Sequence, residues 1–262
     1  MSRRTTYYGA SSASVSYLLD QFPATHAFAL RRLATGSTAA VRVRRSSDNA
    51  EQDFGFDGAD FDEAGMLSFT GTGAGDYGFI VDLANQGTGS APLQQTNPAR
   101  QPSIVTGGVP YTEGGRTAWL SNGNFEGFLV NLPQPWTIAT VCKPTNSNRI
   151  IHRDANTNSN FNVRIVRPQD GSYIRVVAGG QLNGTSNREN AHTVFTAVAN
   201  GASSRLHFNG VEEDTGTLAN GLDTINFFNS LVGTAQELII WDSDQSANLA
   251  AIESEIMGYY GL

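Results

Sequence analysis

His192-Thr-Val-Phe-Thr-Ala-Val-Ala-Asn200-Gly201-Ala-Ser-Ser-Arg205-Leu-His-Phe-Asn209-Gly210-Val211 decides the fold class. The runs at 192–199 and 204–209 are rich in Val, Phe and Thr, which favour a pleated, half-buried backbone. The Asn209-Gly210 pair supplies the two positive φ values that a type I′ turn needs, so the second run should fold back as a hairpin.

The same rhythm extends in both directions. Strands are expected near 27–32, 39–45, 78–82, 103–106, 117–121, 126–131, 135–143, 148–153, 160–167, 172–179, 224–229 and 235–242, with a further turn at Gln169-Asp170-Gly171. Short strands broken by Gly, Asn, Asp and Pro predict an all-β sandwich. Helical periodicity is confined to the ends. Residues 14–22 carry apolar side chains at 15, 18, 19 and 22 before Pro23. Near the other end, Ser246 is positioned to cap a helix through Leu249, Ile252, Ile256 and Tyr259, with Glu253 and Glu255 facing outward. The expected organisation is an N-terminal arm with a short helix over residues 1–25, followed by one sandwich over 26–262 with long loops at 46–76 and 84–102.

Composition narrows the partners. A formal charge of −7 and a charged fraction of 16% offer no basic field for nucleic acid or an anionic membrane. The N-terminus lacks the apolar segment of a signal peptide, and no apolar run is long enough to span a bilayer as a helix. Cys142 stands alone in an apolar run, which excludes an intrachain disulfide and suits a small core filler. Lys143 is the only lysine beside 16 arginines. Arginine's planar fork suits interfaces, and Arg3, Arg4, Arg42, Arg44 and Arg45 are where one would use it.

Chemistry-bearing patterns are sparse. Glu212-Glu213-Asp214 is the densest carboxylate string, but it follows the Asn209-Gly210 turn and reads as a solvated hairpin edge. No cofactor is implied. Asp57, Asp60, Asp62 and Glu63 offer oxygen ligands that calcium would accept, though not in EF-hand register; a solvated acidic loop is the plainer reading. Asp82 and Asn85 sit at the start of the next loop and, with Tyr77 and Tyr111 in or beside loops, are candidate ligand-binding residues. Exposed rings pack on the apolar face of a sugar while polar groups orient it. The four histidines, 26, 152, 192 and 207, show no metal-ligand spacing. Trp119, Trp136 and Trp241 lie in apolar strands and read as core.

Residues 190–262, including Ala235-Gln-Glu-Leu-Ile-Ile-Trp241, resemble the closing strands of a concanavalin-A-like, laminin-G-like jelly roll. Ala29-Leu-Arg-Arg-Leu33, Ala40-Val-Arg-Val-Arg-Arg-Ser-Ser-Asp-Asn49 and Phe79-Ile-Val-Asp82 through Arg100-Gln-Pro-Ser-Ile-Val105 resemble the opening of the catalytic domain of the alpha-L-arabinofuranosidase B family. That combination, ending in Asp244-Gln-Ser-Ala-Asn248, is similar to virion and tail-associated proteins of tailed bacteriophages. The family's cysteine-flanked active-site segment has no match here, so no catalytic residue is carried over.

The resemblance implies a non-enzymatic virion component, capsid decoration or tail protein. It would dock on other virion subunits through Arg3, Arg4, Tyr7 and Tyr8, would be a homo-oligomer in the particle, and could display a surface for host glycans. The alternatives are a glycoside hydrolase of the arabinofuranosidase type and a free lectin module.

Overall fold

The computed structural model describes residues 16–121, 125, 128–145, 150–154, 162–166, 173–227 and 233–262. Among them, hydrogen bonding assembles a 13-stranded and a 6-stranded antiparallel sheet, with only three short α-helices. The architecture is an all-β sandwich, as the strand rhythm predicts. Across the larger sheet run Val211–Gly216, Ser204–Phe208, Thr193–Ala199, Trp136–Pro144, Gly233–Trp241, Trp119–Leu120, Ser103–Thr106, Tyr77–Leu83, Val41–Arg45 and Glu51–Phe54. Phe128–Leu132, Leu222–Phe227, Ile150–Asp154, Asn162–Val166, Tyr173–Val177 and Gln181–Asn183 form the smaller one.

Trp136–Pro144 and Gly233–Trp241 are almost wholly buried because both of their faces are covered. On one side Ile138, Cys142, Leu238 and Ile240 share a core with Ile174, Val176 and Leu182 of the smaller sheet. On the other, Ala139, Val141, Ile239 and Trp241 pack with Leu18 and Leu19 of α1 (Leu18–Gln21) and Ile252, Ile256 and Tyr260 of α3 (Leu249–Tyr260). Burial on two faces is why these strands read as continuous apolar runs and not as alternation. All three tryptophans are buried, and burial pushes the Cys142 thiol up to about 12, leaving it an inert core group.

The deciding hairpin forms as expected. Asn209 and Gly210 have φ of 47° and 76°, and Phe195 pairs with Phe208 across the ladder.

Several expectations need correction. α3 starts after Asn248, because Ser246 donates its backbone N–H to Asp244 Oδ1 at 2.8 Å in a turn of its own. Glu253 does not face outward. It is 2% exposed, with Oε2 3.2 Å from His207 Nδ1. The 46–76 stretch is not all loop: it holds the Glu51–Phe54 strand and α2 (Glu63–Thr70), capped by Asp62 Oδ1 accepting from the Gly65 N–H at 2.9 Å. The Glu51–Phe54 strand escapes periodicity because it is a sheet edge, with Phe54 its only buried residue. Glu212-Glu213-Asp214 forms the hairpin edge as expected, on the Val211–Gly216 strand with Glu212 exposed, but the Glu213 side chain is only 3% exposed. The Gln169-Asp170-Gly171 turn and the docking residues Arg3, Arg4, Tyr7 and Tyr8 lie outside the described residues.

Candidate functional site

The Tyr77–Leu83 strand carries an irregularity that aims its side chains. It pairs with Val41–Arg45 as Arg44 with Phe79 and Val43 with Ile80, then as Arg42 with Asp82, leaving Val81 as an extra residue. A bulge resets the alternation of faces. Ile80 and Leu83 therefore both reach the core, while Tyr77, Phe79 and Asp82 lie on the side away from it.

At one end of this outer face a charged row crosses three strands. Arg42 lies in register with Asp53 on one neighbour and with Asp82 on the other. It grips Asp53 in a planar fork, Nε to Oδ1 at 2.7 Å and Nη2 to Oδ2 at 3.0 Å. That bond holds the Asp53 carboxyl below its usual range. Burial pushes the half-buried Asp82 carboxyl up, with Arg42 opposing and Asp53 and Glu51 adding to the rise. Two strand spacings put the Asp53 and Asp82 backbones about 10 Å apart. Two carboxyls driven in opposite directions across one surface form the electrostatic arrangement of a general acid and its ionised partner.

At the other end the face turns aromatic. Tyr77 and Phe79 stack with centroids 6.4 Å apart and planes at 11°. The Arg44 guanidinium lies 4.8 Å from the Phe79 ring centre and is fixed by Gln101 Oε1 at 2.8 Å and Asn49 Oδ1 at 2.7 Å. Tyr77 pairs with Thr106, whose hydroxyl donates to the Tyr111 hydroxyl at 3.0 Å. Tyr77 and Asp82 thus share one strand, and Tyr111, between the Val109–Pro110 and Thr112–Glu113 strands, is tied to the neighbouring strand through Thr106. Asn85 does not join them. Its Oδ1 accepts from the Ala27 and Gly87 N–H groups at 2.8 and 2.9 Å, and its amide donates to the Thr25 carbonyl at 3.3 Å, so it braces a loop. Asp53 and Arg42 were not identified as partners of Asp82. The available signal was complementary charge, Val41-Arg-Val-Arg-Arg facing Glu51-Gln-Asp, across a turn read as loop.

Of the acidic-stretch carboxylates Asp57, Asp60, Asp62 and Glu63, the last three are committed elsewhere. Asp62 caps α2, Glu63 accepts from the Thr117 hydroxyl at 2.6 Å, and Asp60 accepts from Arg116 at 2.7 Å and the Tyr259 hydroxyl at 2.8 Å. They are thus directed to separate partners, and the described residues contain no group of three or more His, Cys, Asp or Glu poised around a metal. Asp60, Glu63, Arg116 and Tyr259 line a cavity of about 150 Å³ together with Arg31, whose guanidinium pairs with the buried Glu237. Burial and the Asp60 carboxylate push the Tyr259 hydroxyl up, keeping it a donor.

No family model and no curated protein matches the chain. Solved structures do. The chain is similar to an arabinofuranosidase complexed with arabinofuranosyl-α-1,2-xylobiose (TM-score 0.68, 13% identity). It is also similar to a GH54 α-L-arabinofuranosidase soaked with a cyclic sulfate inhibitor (TM-score 0.67, 13% identity). A third match is a glutamate-to-glutamine mutant of GH54 α-L-arabinofuranosidase soaked with 4-nitrophenyl α-L-arabinofuranoside (TM-score 0.66, 14% identity). Each similarity covers 89% of this chain and 62% of the other, so the chain spans about three fifths of the length of these enzymes. The fold is shared; at such identity the chemistry has to be argued from the site. This finding overturns the expectation of a non-enzymatic chain, since the sandwich is one on which arabinofuranosidases are built.

Proposed function

We propose that this chain is a carbohydrate-active domain, a glycoside hydrolase of the arabinofuranosidase type, with Asp82 and Asp53 as its reacting carboxyls. The observation that carries the reading is the Asp53, Arg42, Asp82 row, in which one carboxyl is raised and the other lowered. The shared arabinofuranosidase fold supports the substrate class. Asp82, whose carboxyl burial pushes up, donates a proton to the departing glycosidic oxygen. Asp53, kept ionised by Arg42, accepts the proton of the attacking water. The wide spacing of the two strands favours direct water attack over a covalent intermediate.

Release of 4-nitrophenol from 4-nitrophenyl α-L-arabinofuranoside tests this. The wild-type chain should release it, and Asp82→Asn should cut the rate by about 100-fold or more. No release above the uncatalysed rate by the wild-type chain overturns the reading.

The setting we propose for this activity is a tailed-phage virion, with residues 1–25 as an arm docked on other subunits of the particle and residues 26–262 as one sandwich. Its support is the likeness of Arg44-Arg-Ser-Ser-Asp48 and Trp241-Asp-Ser-Asp-Gln-Ser246 to tailed-phage proteins. Mass spectrometry of purified particles that finds the chain absent refutes this setting.

A further inference from the structure

The geometry points to a second sugar subsite on the outer face of the sheet, an aromatic platform of Tyr77, Thr106, Val109 and Tyr111 that holds an oligosaccharide while its terminal residue reaches Asp82. This deepens the reading given under Proposed function and rests on it for the identity of the reacting end. Tyr77 is 37% exposed and Val109 64%, two of the few large apolar side chains the described residues leave to solvent. Both are register partners of Thr106, Tyr77 from the preceding strand and Val109 from the following one, so their side chains share one face. An apolar surface of this kind on a soluble fold marks a contact site.

Its polar rim selects a sugar as the occupant. The Tyr111 hydroxyl accepts from Thr106, which leaves its own proton to donate outward. Gln101 and Asn49 hold the Arg44 guanidinium against Phe79, so the platform's support does not move when a ligand arrives. Flat rings with hydroxyl donors beside them suit the apolar face and the hydroxyl rim of a sugar ring. The platform is continuous with the carboxylate row, because Tyr77 and Asp82 lie on the same strand, five residues and about 16 Å apart. That span exceeds one sugar ring, so the ligand is an oligosaccharide.

Binding on an array that includes arabinofuranosyl oligosaccharides, compared between wild type, Tyr77→Ala and Tyr111→Phe, tests the platform. Hydrolysis of 4-nitrophenyl α-L-arabinofuranoside is measured alongside it. Tyr77→Ala should weaken oligosaccharide binding about tenfold and Tyr111→Phe by less. An unchanged melting temperature confirms that the exposed substitutions leave the fold intact. Equal binding by Tyr77→Ala and wild type overturns the platform, as does the absence of any oligosaccharide bound by the wild type. The proposed hydrolysis survives either result if the aryl glycoside is still cleaved. Conversely, oligosaccharide binding lost in Tyr77→Ala with no cleavage supports the platform while refuting the hydrolase.

Discussion

Arg31 and Glu237, 206 residues apart in sequence, meet in a buried fork with Nε 2.6 Å from Oε2 and Nη2 3.1 Å from Oε1. Glu255 of α3 takes the other edge of the guanidinium at 2.7 and 2.9 Å, and the Tyr260 hydroxyl donates to Glu237 at 3.0 Å. The bend that follows the first described strand, His26–Ala29, is thereby joined to a central strand and the last helix by one cation.

Removing that cation strands a charge. Arg31→Met leaves the fully buried Glu237 carboxyl without its cation and should cost about 3–5 kcal/mol. Arg31→Met combined with Glu237→Leu should recover most of the loss, because a well-packed apolar pair is no worse than a desolvated ion pair. Urea unfolding midpoints at unchanged slope read both values.

Glu213 sets an acid limit on stability. Burial pushes its carboxyl up, but hydrogen bonds from Ser186 and Thr185 outweigh that and hold it at about 2, below the ordinary 4.5. The Thr185 and Ser186 N–H groups donate to Oε2 at 2.8 and 3.0 Å, and the Ser186 hydroxyl donates to Oε1. A folded-state value below the unfolded one stabilises fully above about pH 5 and loses that stabilisation as the pH falls toward 2. Chemical unfolding between pH 6 and pH 2 should show Glu213→Gln losing less stability on acidification than wild type, by roughly 1–3 kcal/mol.

Arg42 tunes both carboxyls of the row in the same direction. It lowers Asp53 through its hydrogen bond and opposes the rise of Asp82. Arg42→Gln should therefore move both limbs of the pH–rate profile for aryl arabinofuranoside hydrolysis to higher pH. Because Arg42 and Asp53 are both largely exposed, the change should cost less than about 1 kcal/mol of stability. A profile that keeps its limbs removes Arg42 from the site.

The turn at Asn209-Gly210 offers a check on the hairpin. Gly210 has φ of 76°, and an added Cβ would meet the Met257 methyl at 3.0 Å. Gly210→Val should lower stability by about 1–2 kcal/mol, and Asn209→Gly, which keeps φ of 47° but loses the bond its Oδ1 accepts from the Val194 N–H at 2.8 Å, by about 1 kcal/mol. Thermal melts read both losses.

Legibility followed burial. Strands such as Thr193–Ala199 and Gly233–Trp241 were visible because burial on both faces writes an apolar run into the sequence. Glu51–Phe54 was not, since an edge strand exposes one ladder and uses charge instead of alternation; Val211–Gly216, also an edge, was legible only through the turn before it. Glu253 was misdirected for a related reason: its burial depends on His207, 46 residues away, and no helical periodicity reports a distant partner. Tyr77, Asp82 and Tyr111 were legible as residue types beside loops. Their common face was not, because it depends on the bulge at Val81, which has no signature of its own.

The two end strands of the larger sheet carry nearly the same triplet, Glu51-Gln52-Asp53 at one end and Glu212-Glu213-Asp214 at the other. An open ladder invites another chain to pair with it, and a line of like charges deters that pairing. Two copies of this sandwich brought edge to edge would have to bring Asp53 with Arg42 and Glu212 with Arg205, all largely exposed, into the new seam. Joining the sheets would strip water from both ion pairs, so each edge favours a sheet that ends with its own strands.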